Sequence, residues 1–186
     1  MGFRPLYRKL AEAIALIITP RHLNLSMAFL SFILIPVAFM VQFASIVIAS
    51  NLSISAALGL VFLLSIVTEE VAKSAGIAVL VQNGAVRSYR VLLKLAIASA
   101  AGFFFGEKLL LLLALSVVSD SMFAEALAGS SLLIAPLGMH ILTTAVVALV
   151  TRRLGVRYYP VGVFAGSVIH ALYNLWVIYG IGGITP

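Results

Sequence analysis

Several ionisable side chains stand where this sequence is otherwise apolar. Glu69, Glu70 and Lys73 share one hydrophobic run, and Glu107 and Lys108 share the next. His140 falls in a third, and His170 and Asn174 in a fourth. Two adjacent carboxylates, a third carboxylate, two histidines and an amide suit the activation of water. A carboxylate in a dry site can take a proton from water and return it to a leaving group. Histidine can orient the water or share the base role. His170 and Asn174 are four residues apart, so they share a helical face and can donate hydrogen bonds to a developing oxyanion. Lys73 follows Glu69 by four residues and Glu70 by three, within reach of an ion pair that lowers the cost of a buried carboxylate. No serine lies in a nucleophile-elbow pattern and no H-E-x-x-H occurs. The absence of cysteine removes thiolate catalysis, disulfides and cysteine-ligated metal together. Hydrolysis by a glutamate-activated water is the chemistry this set favours.

The elements that must position these residues are membrane spans. Of 186 residues, 63% are hydrophobic and only 10% charged. A soluble domain of this length needs roughly a quarter charged residues to cover its surface. The apolar runs are each long enough to cross a hydrocarbon core of about 30 Å at about 1.5 Å per residue. In lipid a run of this length satisfies its backbone as a helix, and the alternation a β-barrel needs is missing. The fold class expected is all-α: a polytopic transmembrane bundle of about five spans, at 24–50, 53–82, 88–118, 131–151 and 158–180.

Residues 1–19 do not look like a cleaved signal, because the apolar stretch is short and no small-residue cleavage site follows. Phe3, Leu6, Leu10, Ile14 and Ile17 recur at helical spacing with Arg4, Arg8 and Glu12 on another face. That predicts an interfacial helix over 1–20, ended by Pro20, with a short tilted span as the alternative. Pro36 is expected to kink the first span and Pro136 the fourth, while Pro160 sits in the opening turn of the fifth. Asn51-Leu52-Ser53 and Gln82-Asn83-Gly84 carry turn chemistry, and 119–130 forms the one longer loop, with room for a short amphipathic helix at Met122 to Leu127. No repeat or linker divides the chain, so 1–186 reads as one domain with a four-helix core at 53–180.

The net charge of +6 could suggest nucleic acid, but the basic residues sit between hydrophobic runs. Arg4, Arg8, Lys9 and Arg21 precede the first span, Arg87, Arg90 and Lys94 follow the second, and Arg152, Arg153 and Arg157 follow the fourth. The opposite side carries only Asp120 and Glu125. The positive-inside rule then predicts a multi-pass protein of the cell membrane with its N-terminus cytoplasmic and its C-terminus outside.

Counting from the cytoplasmic end, Glu70 lies at roughly 18 Å depth, His140 at roughly 16 Å and His170 at roughly 18 Å. Glu107 and Asn174 come out near 24 Å, at about the same level. Four antiparallel helices thus deliver their polar residues to one slab of the membrane, where ionisable groups are by default functional. Gly102 and Gly106, and Gly162 and Gly166, form G-x-x-x-G pairs that let helix backbones approach.

The ordered set resembles a known family. Glu69-Glu70-Val-Ala-Lys73 fits E-E-x-x-K, Phe103-Phe-Phe-Gly-Glu107 fits F-x-x-x-E, a lone His140 follows, and His170-Ala-Leu-Tyr-Asn174 fits H-x-x-x-N. Over residues 65–180 this resembles the PrsW-like branch of the glutamic intramembrane proteases, the superfamily that includes the CAAX-processing (CPBP) proteases. The resemblance implies an intramembrane endopeptidase acting on a membrane-anchored protein, without cofactor, metal or nucleic acid. Glu69 or Glu70 would be the base for water, with Glu69 favoured from the CAAX branch, and Lys73 would partner the pair. Glu107 takes the place of a histidine in that branch, His140 would be a further catalytic histidine, and His170 and Asn174 would stabilise the oxyanion. Many PrsW-like members close with H-x-x-x-D, so Asn174 follows the CAAX pattern and leaves the subfamily open. The superfamily also holds a non-catalytic scaffold, so fold alone does not imply activity.

Plainer readings stand beside these. His140 alone could be an interhelical hydrogen bond, Phe103 to Phe105 packing, and Tyr158, Tyr159 and Trp176 interfacial aromatics. Glu107 and Lys108 point about 100° apart and need not pair, and Lys108 could snorkel outward. The Glu69/Glu70 pair is harder to explain structurally, since one carboxylate balances Lys73 and the other is left over. Two other functions fit the composition: a metal-dependent membrane hydrolase using the carboxylates and histidines, and a proton-coupled carrier or scaffold. The inverted repeat and broken helix pair common in carriers are not seen.

Overall fold

The computed structural model describes residues 22–50, 52–86, 88–118 and 134–181. These form six main helices: α1 (Leu23–Ile33), α2 (Ile35–Ala49), α3 (Ile54–Gln82), α4 (Tyr89–Val118), α5 (Ile134–Leu154) and α6 (Tyr159–Trp176). A short 3-10 turn, Val156–Tyr158, joins α5 to α6, and a π turn, Val177–Ile181, follows α6. There is no strand among the described residues. With α1 and α2 counted as one span, five helical stretches among the described residues are long and apolar enough to cross a membrane. The chain is an all-α, multi-pass membrane protein. The interfacial helix expected over 1–20, the loop at 119–130 with its short helix, and the charges Arg4, Arg8, Lys9, Arg21, Arg87, Asp120 and Glu125 lie outside the described residues.

Proline chemistry explains one break. Pro36 has no N–H to give the Phe32 carbonyl, so α1 stops at Ile33 and α2 restarts with proline in its first turn. Pro160 likewise opens α6. The kink expected at Pro136 turns on the carbonyl of Leu132, which lies outside the described residues; the described part of α5 begins at Ile134. Between α3 and α4, Gly84 adopts φ 68° and the Ala85 and Gly84 amides donate to the Leu80 and Val81 carbonyls, a Schellman stop.

The bundle is apolar outside and polar within. Leu25, Phe43, Leu58, Phe164 and Trp176 are exposed on the outer surface, as a lipid-facing wall requires. Met27 and Leu30 of α1 pack with Ile77 of α3, Leu92 and Leu95 of α4 and Ala148 of α5. Glycines set the closest approaches. A Cβ on Gly102 would collide with the Ala28 backbone, and one on Gly106 with Phe32 and Ile35, so the first G-x-x-x-G receives the first span. The second lays α6 on α5: a Cβ on Gly162 would stand 3.1 Å from the Val147 carbonyl oxygen. Arg152 closes one end of the bundle by donating to the Val86 carbonyl.

Candidate functional site

Helix α3 presents Glu69 and Glu70 about 100° apart, and the bundle uses the two faces differently. Glu70 is fully buried. Its Oε1 lies 2.6 Å from Lys73 Nζ and 2.8 Å from His170 Nδ1. Glu69 looks the other way, into a cavity of about 310 Å³. It keeps 17% of its side chain exposed and holds Oε2 3.7 Å from His170 Nε2. The left-over carboxylate of the pair is therefore Glu69.

Lys73 is the hub behind the cavity, and like Glu70 it has no exposed surface. Besides Glu70, its ammonium reaches His140 Nδ1 at 2.9 Å and Thr143 Oγ1 at 3.4 Å, both on α5. Its carbonyl accepts from Ser99 on α4, whose hydroxyl is 2.5 Å from that of Ser31 on α1. A buried charge is tolerable only when its hydrogen-bonding capacity is met, and Glu70 on α3 with His140 and Thr143 on α5 meet that of the Lys73 ammonium.

Helix α4 brings Glu107 to the cavity wall, with Oε2 3.4 Å from His140 Nε2. Lys108 does not snorkel outward. Its Nζ sits 2.9 Å from Glu107 Oε1 and 5.5 Å over the Phe104 ring, so the adjacent pair does meet. The two histidine rings stand edge to face at 5.4 Å, and Phe103 and Phe104 flank His140. Gly166, one turn before His170, leaves room for Glu70: a Cβ there would stand 3.2 Å from Glu70 Oε2 and 2.9 Å from Val147 Cγ2.

The seven residues for which the sequence suggested a catalytic or supporting role are thus gathered. Glu69, Glu107, His140, His170 and Asn174 line the cavity, and Glu70 and Lys73 lie directly behind it. Phe62, Met139 and Val177 supply apolar wall. Three carboxylates against two ammonium groups leave the site one formal negative charge when both histidines are neutral. Glu69, His140 and His170 can each bring one ligand atom within 4.8 Å of the others.

Three contributors went unnoticed in the sequence. Gln42, from α2 and so from outside the 53–180 core, places its amide 3.4 Å from Glu69 Oε1. Thr143 and Ser99 serve Lys73. An amide in the interior of the first apolar run was a usable signal for Gln42; hydroxyls are too common in membrane helices to be one. Tyr159 brings its hydroxyl 3.0 Å from Ser74 Oγ and so ties α6 to α3.

Compared with protein-family models, curated proteins and solved structures, the chain finds no match.

Proposed function

We propose that the protein is an intramembrane endopeptidase of the PrsW-like/CAAX-protease type, hydrolysing a membrane-anchored protein with a glutamate-activated water. The observation that carries the reading is the division of labour in the glutamate pair. Glu70 is committed to Lys73 and His170, while Glu69 faces a cavity with part of its side chain accessible. In this reading Glu69 takes a proton from water as the oxygen bonds to the peptide carbonyl carbon. The Asn174 amide donates to the oxyanion, and Glu69 returns the proton to the departing nitrogen as the C–N bond breaks. The apolar wall of the cavity suits the side chains of a membrane segment. The end of the bundle bearing Arg90, Arg152, Arg153 and Arg157 faces the cytoplasm by the positive-inside rule.

A metal-dependent hydrolase is the second reading, favoured by the reach of Glu69, His140 and His170 toward one point. Against it, one nitrogen of His140 is already engaged by Lys73, and an ammonium 2.9 Å from that nitrogen repels a divalent cation.

The deciding experiment is proteolysis of a panel of membrane-anchored proteins by purified protein in detergent. Wild type is compared with Glu69→Gln, Glu70→Gln and His170→Ala, each with and without chelator. Cleavage that withstands chelation and is lost in the variants is the expected result. Cleavage abolished by chelator and restored by metal would establish the second reading instead.

A further inference from the structure

The two site histidines differ in what their ring nitrogens face, and that difference dictates opposite hydrogen-bond polarity. An ammonium has three hydrogens to donate and nothing to accept with. Lys73 Nζ has three acceptors around it: Glu70 Oε1 at 2.6 Å, His140 Nδ1 at 2.9 Å and Thr143 Oγ1 at 3.4 Å. His140 Nδ1 must therefore present its lone pair, and in a neutral ring the proton then sits on Nε2. That N–H points to the cavity side, 3.4 Å from Glu107 Oε2, an oxygen without a hydrogen-bond partner among the described residues. His170 is the reverse case. Its Nδ1 lies 2.8 Å from Glu70 Oε1, which as a carboxylate oxygen only accepts, so Nδ1 carries the proton and Nε2 the lone pair. That lone pair faces Glu69 Oε2 at 3.7 Å, too far for a direct hydrogen bond and suited to one water held between them.

We infer that His170 Nε2 and Glu69 together hold the nucleophilic water, and that the His140 Nε2–H joins Asn174 in donating to the oxyanion. This rests on the endopeptidase reading and deepens it, because it moves His170 from the oxyanion side of the reaction to the water side. The water's two hydrogens find two acceptors, Glu69 Oε2 and His170 Nε2, which turns an oxygen lone pair toward the carbonyl carbon. Glu69 takes one proton as the O–C bond forms, and the oxyanion draws the weakly held His140 N–H away from Glu107. The proton on Glu69 then passes to the amide nitrogen, and the C–N bond breaks. Glu70 and Lys73 are positioning residues: they touch no reacting atom and act by setting which nitrogen of each ring bears hydrogen.

The test reads the tautomers directly, by ¹⁵N NMR of histidine-labelled full-length protein in detergent micelles without substrate. The chain has three histidines. His22→Gln removes the one outside the site, and through-space coupling to Phe103 and Phe104 identifies His140. The expected spectrum has His170 protonated on Nδ1 alone and His140 on Nε2 alone. Glu70→Leu, which removes the acceptor and is checked for helix content, should shift His170 toward the Nε2–H form and leave His140 on Nε2. The same tautomer in both rings, the reversed pair, a doubly protonated His170, or a His170 indifferent to Glu70→Leu would each overturn the assignment. The resting spectrum does not depend on cleavage. An expected spectrum with no substrate cut would count against the endopeptidase reading alone, and a wrong spectrum with active protein against the histidine roles alone.

Discussion

Glu70 Oε1 and Lys73 Nζ meet at 2.6 Å one helical turn apart on α3, and neither side chain has any exposed surface. Removing one partner strands the other's charge in the bundle. Lys73→Met is therefore expected to cost about 3–5 kcal/mol, and Glu70→Leu with Lys73→Met together much less, since an apolar pair leaves no orphan charge. Thermal unfolding in detergent, followed by circular dichroism, measures both. A double variant no more stable than Lys73→Met would mean that the pair's other partners, rather than the charge, dominate.

Glu69 carries little of the fold. Its contacts are Gln42 at 3.4 Å and His170 at 3.7 Å, and it keeps access to the cavity. Glu69→Gln should reduce cleavage of any accepted substrate about 10²–10⁴-fold, the usual worth of a general base. Its unfolding temperature should match the wild type's. Cleavage within threefold of wild type would remove Glu69 from the chemistry.

Asn174 lines the cavity one turn beyond His170. Asn174→Ala should lower kcat by about 10²–10³-fold, as expected for loss of an oxyanion donor, with KM little changed. A rise in KM at constant kcat would instead make Asn174 a substrate-binding residue.

The glycines separate packing from chemistry. A Cβ on Gly102 meets the Ala28 backbone, which cannot move aside as a side-chain tip can, whereas Gly59 has nothing within 4 Å of that position. Gly102→Ala should lose about 1–3 kcal/mol by overpacking. Gly59→Ala should be neutral or gain up to about 1 kcal/mol from helix propensity. Unfolding temperatures of the two variants provide the comparison.

Gly166→Ala presses on Val147 and Glu70 together. It should impair cleavage more than stability, because displacing Glu70 by a few tenths of an ångström misaligns His170 while the helices remain packed. The check is kcat and unfolding temperature measured on one preparation. Equal loss in both would make Gly166 a packing residue only.

Much of this molecule could be read along the chain. Hydropathy is a one-dimensional property, so the spans came within a few residues of α1–α2, α3, α4, α5 and α6. Helix rise is constant, so the depths of Glu70, His140 and His170 followed by counting, and these residues do converge. The break before Pro36 was legible because a missing N–H is a local fact.

What only the tertiary structure decided is which face of each helix its neighbours cover. Periodicity does not say which of Glu69 and Glu70 turns to the cavity, and a rotation of about 100° sends one there and the other to Lys73 and His170. The same holds for Lys108, turned to Glu107 rather than to the surface, and for Tyr159, turned to Ser74. Gln42 acquires a role only because α2 lies against α3. In lipid, apolar surface gains little by leaving one apolar neighbour for another, so helix rotation is settled by close packing at glycines and by polar groups that must find partners. Those are relations between helices, and a single chain's periodicity does not contain them.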